Sequence, residues 1–435
     1  DVDKIEQRLQ KMKSVYVNMG NVIENLPDAI PEHTRLMLKD AILGDRELKQ
    51  LMDGIDSHRP PRIFIIGRTG VGKSSLVNAI CGTYVARVSD TRSCTERAQI
   101  YKCMLGERTL LEICDTRGIA ESENLNERIS AEEMLLNQIN EFSPDAAILM
   151  VNCTRRDDIG TDVDFLKKLA DAYLKVNSTN LPIVIVLNKC DEMAPSRLKK
   201  AEEYTQSKVN NINEVVKFYR ALAIEGGLEV DNIIGVSSLI DWMTLDGTEV
   251  GVEEIDELSR DSVENLRIHF DGRYNIEELL DILESAILDF EAQMGLRMAA
   301  RLTVVIKRLA NHLCNVFSGV AATIAVTPIP VSDIYLLLIL QAVLVSLIAS
   351  LSGRDVDINS AKEFVFSMGG VAGLGYAFKL AAQQASKLLN VIWPGSGSAV
   401  SSAIAFVGTN AMGKAAISYY IEGNTIGRAK DKFDK

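Results

Sequence analysis

Gly67-Arg68-Thr69-Gly70-Val71-Gly72-Lys73-Ser74-Ser75 follows the apolar run Arg62-Ile-Phe-Ile-Ile66 and precedes Leu76-Val-Asn-Ala-Ile80, so a glycine-rich loop stands where a strand turns into a helix. Glycines there let backbone N–H groups converge on a polyphosphate at the positive end of the helix. Lys73 adds a charge for the β and γ phosphates, and Ser74 a hydroxyl ligand for magnesium. The stretch predicts a nucleoside triphosphate site inside an α/β fold.

Downstream, Pro182-Ile-Val-Ile-Val-Leu-Asn188-Lys189-Cys190-Asp191 is a β-branched run ending in Asn-Lys-x-Asp, which sets polar side chains and a lysine stem at a strand's carboxyl edge. Open α/β sheets bind ligands at that edge. A carboxylate there accepts from the N1–H and exocyclic amine of guanine, whereas adenine presents an acceptor at the equivalent ring nitrogen and is repelled. Asp191 is therefore the expected specificity residue, and GTP and GDP the expected nucleotides.

Thr109-Leu-Leu-Glu-Ile-Cys-Asp115-Thr-Arg-Gly118 reads as a strand ending in Asp-x-x-Gly, with Gln99 to Leu105 as its hairpin partner. Asp115 is expected to hold magnesium through water, and the Gly118 N–H to meet the γ phosphate and let go after hydrolysis. The polar stretch Ser89 to Arg97 is the expected first switch, with Thr95 as the second hydroxyl ligand of magnesium and Thr91 as the runner-up. Lys73, Thr95 and Gly118 form the expected catalytic group. Ile119 follows Gly118 where Ras-type enzymes carry a glutamine that orients water, so a low basal rate is expected, with a group from a partner, a second copy or an ion completing the site. Arg68, Arg92 and Arg117 flank the phosphates as candidate charge donors.

These motifs, together with Val236-Ser237-Ser238, resemble an Era-like GTPase of the translation-factor-related class. The resemblance implies a parallel-dominated sheet wrapped by helices and carries Ser237 and Ser238 over as base contacts beside Asn188, Lys189 and Asp191. Potassium-activated members have asparagine where this chain has Gly70, which speaks against potassium activation. The phosphate loop is also similar to that of the chloroplast import-receptor and immune-associated GTPases, which pair through their nucleotide faces, so a homodimer through that face joins the expected partners.

The chain has 435 residues, a net charge of −12 and a pI near 5.1, which fits two or three domains and disfavours a general nucleic-acid footprint. An RNA or ribosome assembly factor loses weight accordingly. Seven scattered cysteines without a Cys-x-x-Cys pair read as reduced thiols in a cytoplasmic compartment, and four histidines show no ligand spacing. The opening Asp1-Val-Asp-Lys lacks methionine and reads as a trimmed start.

Three parts are expected: an N-terminal helical segment over 1–58, the GTPase domain over 59–290 and an all-α, apolar C-terminal domain over 291–435. Within the second, the charged stretches 192–230 and 241–273 read as insertions, and Asn275 as the cap of a closing helix. In the third, Ile334 to Leu351 is nearly all apolar and sits at the threshold for a membrane span, while Gly369 and Gly373 have small-xxx-small spacing. Ile329-Pro330 with Asp333 and Gln341, and Gly408-Thr-Asn-Ala-Met-Gly413, resemble the uncharacterised helical domain that follows Era-like domains in mostly bacterial, membrane-associated proteins. A buried bundle and membrane contact both stay open. The functional expectation is a switch GTPase whose helical part couples nucleotide state to a membrane or protein partner; the alternative is a dynamin-like, self-assembling mechanochemical GTPase.

Overall fold

A computed structural model of the chain describes residues 2–25, 32–89, 99–115, 128–156, 158–228, 230, 232–326, 333–354, 356–368 and 397–433. They gather into two compact units, one built on Ser57–Ala300 and the other on Asp3–Asp56 with Arg301–Lys435.

The first unit is organised by a seven-stranded sheet in the order β2-β3-β4-β1-β5-β6-β7. Its strands are β1 (Arg62–Gly67), β2 (Ala86–Ser89), β3 (Gln99–Leu105), β4 (Arg108–Asp115), β5 (Ala146–Asn152), β6 (Ile183–Asn188) and β7 (Asn232–Gly235). From β4 through β1, β5, β6 and β7 the pairing is parallel, and β2 and β3 extend it antiparallel. Parallel strands covered on both faces read as continuous apolar runs, which is why β1, β5 and β6 are buried almost end to end. Alternation along β1 divides the core: Ile63 and Ile65 pack with Leu76, Val77 and Ile80 of the helix Lys73–Cys81, and Phe64 and Ile66 with Phe165, Leu166 and Leu169 of the helix Gly160–Asn177. Truncating Phe64, which is fully buried, would cost about 3–5 kcal/mol. Because β1 neighbours β4 on one side and β5 on the other, the chain's order reverses at β1, and the loop after it opens into a ligand crevice.

The stretch 192–230 differs from its reading as an insertion. It contains the helix Gln206–Glu225, which carries the chain from β6 to its parallel neighbour β7, the ordinary right-sized crossover of an α/β sheet. The stretch 241–273 does add structure: β8 (Ser237–Met243), β9 (Glu249–Val250) and β10 (Arg267–Tyr274) form a separate antiparallel sheet in the order β10-β8-β9. Asn275 stands at the N-cap of the helix Ile276–Ala286, its carbonyl accepting from the Leu279 N–H, but in a left-handed conformation with φ of 55° and with no side-chain capping bond. Its amide nitrogen donates to the Gly235 carbonyl at 3.0 Å, a tertiary bond to the end of β7. The unit closes with the helix Phe290–Ala300, where a Cβ on Gly295 would overlap the Arg59 carbonyl oxygen, and Arg59 forks onto Asp145 at 2.6 and 2.9 Å.

The second unit is helical. Leu302–Val326 packs against Gly397–Ala416, Asp333–Leu351 and the N-terminal helix Glu32–Leu43. From Leu337 onward Asp333–Leu351 is buried nearly all round, and its one interior amide, Gln341, donates to the Thr409 hydroxyl at 3.4 Å. Gly413 permits the close approach to Cys314 that any Cβ would block. Among the described residues no helix is long and apolar enough to cross a membrane. Ile329, Pro330, Gly369 and Gly373 lie outside the described residues.

Candidate functional site

β1 ends at Gly67 and the helix begins at Lys73, so the glycine-rich segment is the connection between them. Gly70 and Gly72 have φ of 78° and 93°, in the left-handed region where a side chain is strained. At Gly72 space decides as well, since a Cβ would lie 2.5 Å from the Asn188 amide nitrogen. Arg68, Thr69 and Gly70 face solvent, Val71 is buried, Ser74 is half-buried in the first helical turn and Ser75 is exposed. The Lys73 ammonium donates to the Gly67 carbonyl at 2.8 Å and lies 3.0 and 3.2 Å from the two Asp115 carboxylate oxygens. Asp115 reaches it from the end of β4, which runs beside β1 with Ile65 opposite Asp115.

Ser74 and Asp115 offer hard oxygen donors, the set magnesium prefers when it keeps several waters and leans on substrate phosphates. Among the described residues no cluster of three or more His, Cys, Asp or Glu side chains exists that would suit a more protein-encaged metal. Thr95 and Gly118, expected to complete this part, lie outside the described residues, as do Thr91, Arg92, Arg117 and Ile119. Of the candidate arginines, Arg68 donates to the Asp158 carbonyl at 2.9 Å. Arg87, which no motif marks, lines a crevice with Lys73, Tyr101 and Asp115, its guanidinium 5.7 Å from the centre of the Tyr101 ring.

The second half of the site starts at the end of β6. Asn188 is 1% exposed; its amide nitrogen donates to the Val71 carbonyl at 2.9 Å and its oxygen accepts from the Ser238 hydroxyl at 2.9 Å. Lys189 takes φ of 69°, turning the chain so that Asp191 points back inward. Asp191, 6% exposed, accepts from the Ser237 hydroxyl at 3.0 Å through Oδ1 and from the Lys199 ammonium at 3.0 Å through Oδ2. Backbone bonds from Cys190 to Val236 and from Val236 to Leu187 lock the β6 and β8 approaches together, which is what brings Ser237 and Ser238 to this loop. Burial raises the Cys190 thiol well above its ordinary range, so it is an uncharged wall of the site.

Two residues in this half were missed. Lys208 is fully buried, and its three N–H groups are shared among the carbonyls of Asp191, Met193, Pro195 and Leu198 at 2.7, 2.8, 3.1 and 2.8 Å. Desolvation lowers its pKa, while Asp191 and the ring of Tyr204, 4.5 Å away, favour the charged form. A signal existed: Lys208 leads the buried stripe Ile212, Val215, Tyr219 and Ala223, where an apolar residue is expected. For Lys199 no sequence signal existed.

The phosphate-loop half and the Asn-Lys-x-Asp half thus meet through Asn188 and Val71 at the carboxyl edge of a mainly parallel sheet, with β1 at the point where strand order reverses. Residues 62–189 match the family model described as 50S ribosome-binding GTPase. The fold is that of a P-loop GTPase. Relatives of this GTPase region include the GTPase Era of Clostridium botulinum, 27% identical over 172 residues, covering 40% of this chain and 52% of that protein. The GTPase Era of Carboxydothermus hydrogenoformans is 28% identical over 184 residues, covering 39% and 57%. The chain therefore spans about half the length of the relatives it matches. Among solved structures, a probable GTP-binding protein engB is 20% identical with a TM-score of 0.27, covering 52% of this chain and 98% of that one. A variant of Aquifex aeolicus Era bound to GDP and aluminium fluoride is 17% identical with a TM-score of 0.24, covering 62% and 69%.

Proposed function

We propose that this P-loop GTPase binds GTP and GDP with magnesium and hydrolyses GTP to GDP and phosphate, as a switch whose helical unit passes the nucleotide state to a membrane or protein partner. The observation that carries the reading is the bond from the Asn188 amide to the Val71 carbonyl, which fixes the base loop against the phosphate loop across 117 residues of sequence. In this reading the loop Gly67 to Ser75 cradles the phosphates with its N–H groups, and Lys73 turns from Asp115 toward the β and γ oxygens. Asp191 accepts the N1–H and amine of guanine, Lys189 lays its stem along the base, and Ser237 and Ser238 hold the two polar side chains in place. Ser74, Asp115 and Thr95 would hold magnesium, which when bound supplies charge neutralisation on the phosphates. Gly118 senses the γ phosphate, and Ile119, unable to orient water, leaves the basal rate low.

The test is nucleotide titration followed by phosphate release. Binding of GTP and GDP with ATP at least about 100-fold weaker is expected; equal affinity for ATP and GTP would overturn the base assignment. Flotation with liposomes in the two nucleotide states tests the coupling.

A dynamin-like, self-assembling GTPase is the second reading, favoured by the packing of Glu32–Leu43 on Leu302–Val326, which unites N- and C-terminal helices in one compact unit. Turnover that rises steeply with protein concentration, together with liposome tubulation, distinguishes it from the simple switch.

A further inference from the structure

Asp191 is more fully engaged than a waiting base acceptor should be. Its carboxylate is nearly buried, and each oxygen already has a donor at 3.0 Å, Ser237 on Oδ1 and Lys199 on Oδ2. The backbone that presents Lys199 is pinned. Lys208 draws the carbonyls of Asp191, Met193, Pro195 and Leu198 around one buried ammonium, and the last of these belongs to the residue before Lys199. On the other side, Gly272 approaches so closely that a Cβ there would lie 3.1 Å from the Lys199 carbonyl oxygen, and the Lys200 ammonium sits 5.8 Å from the centre of the Phe270 ring. What remains free to move is the Lys199 side chain, which is 39% exposed and can pass into water at little cost.

A guanine edge with two N–H donors requires the same carboxylate. We propose that Lys199 is an affinity-determining residue of the base site, an internal cation that competes with guanine for Asp191 and so weakens nucleotide binding and speeds release. This rests on the guanine reading given above. The ammonium neutralises a nearly buried carboxylate in the free protein, where an unpaired charge is costly; in the bound protein the base supplies the donors instead. Removing Lys199 therefore destabilises the free form and spares the bound one, which tightens binding. Lys199 thus opposes nucleotide binding although it lies within the site.

The experiment measures GDP affinity and thermal unfolding, with and without GDP, for the full chain and its variants. Lys199→Met should bind GDP about three- to tenfold more tightly, with a lower Tm in the free form, an unchanged Tm at saturating GDP, and slower release. Lys199→Arg, which keeps a charged donor, should bind no more tightly than the unmodified chain. In an Asp191→Asn background the gain from Lys199→Met should vanish, because the competition needs the carboxylate. Unchanged or weaker GDP binding by Lys199→Met, in a chain that otherwise binds GDP and not ADP, overturns the competition while leaving the guanine reading intact. Absence of guanine-nucleotide binding by the unmodified chain overturns both.

Discussion

The two halves of the candidate nucleotide site are built by different means. The phosphate half is local: β1, two left-handed glycines and the first turn of the Lys73–Cys81 helix follow one another, and the Lys73 ammonium bonds back to Gly67, six residues away. The base half is assembled from a distance. Asn188 is held by Val71 and Ser238, Asp191 by Ser237 and Lys199, and the loop that runs on from Asp191 to Leu198 by a lysine on the next helix. A local loop can be recognised from its own residues because its conformation is a property of those residues. An assembled loop has the right residues in its motif, but its geometry belongs to whatever braces it.

Substitutions can break this contrast. Lys73→Ala should have the largest effect, lowering GTP affinity by roughly 100-fold or more through loss of charge-assisted bonds to phosphate, while the chain still unfolds cooperatively at a similar Tm; fluorescent-nucleotide titration and calorimetry measure both. Asp191→Asn should weaken GTP and GDP by about 30-fold and turn the preference toward xanthine nucleotides, whose ring carbonyl accepts from the new amide. Competition between guanine and xanthine nucleotides reads it directly, and an unchanged preference would remove Asp191 from the base site.

Lys208→Met sharpens the contrast most cleanly. It leaves four carbonyls without their donor, so unfolding stability should fall by about 2–3 kcal/mol and guanine affinity by about tenfold. Binding of inorganic tripolyphosphate should stay within about twofold of the unmodified chain. Equal losses for tripolyphosphate and GDP would mean that the halves are one cooperative object. The smallest effect is expected from the monovalent cation. With glycine at position 70, replacing sodium by potassium should change steady-state hydrolysis by less than about twofold, while turnover per subunit should rise with protein concentration if a second copy completes the site.

Much of the first unit was legible from residue pattern alone. β1, β5 and β6 coincide with apolar runs because strands buried on both faces leave a continuous signature, while β7 is marked by its short apolar pattern and the hairpin of β3 and β4 by its Gly106 turn. Asn275 takes the N-cap position that the pattern predicts, but its side chain serves Gly235 rather than the helix N–H groups. The stretch 192–230 misleads because its charge suggests an appendage, whereas it holds a crossover helix that exposes Glu214, Lys217 and Glu225 and buries Ile212, Val215, Tyr219 and Ala223 behind Lys208. In the second unit, near-complete burial of Asp333–Leu351 from Leu337 onward accounts for its apolar composition by helix packing.

The amino-acid sequence by itself determined the phosphate loop, the Asn-Lys-x-Asp motif and the sheet that carries them. Glycine φ freedom, a strand's apolar run and a helix's first turn are written within a dozen neighbouring residues. Only the tertiary structure decided that Ser238 holds Asn188, that Lys208 binds the loop after Asp191 and that Lys199 reaches Asp191. Those bonds join residues that become neighbours only when β6, β7 and β8 align, and a lysine's place in the chain says nothing about which buried carboxylate or carbonyl will need its charge.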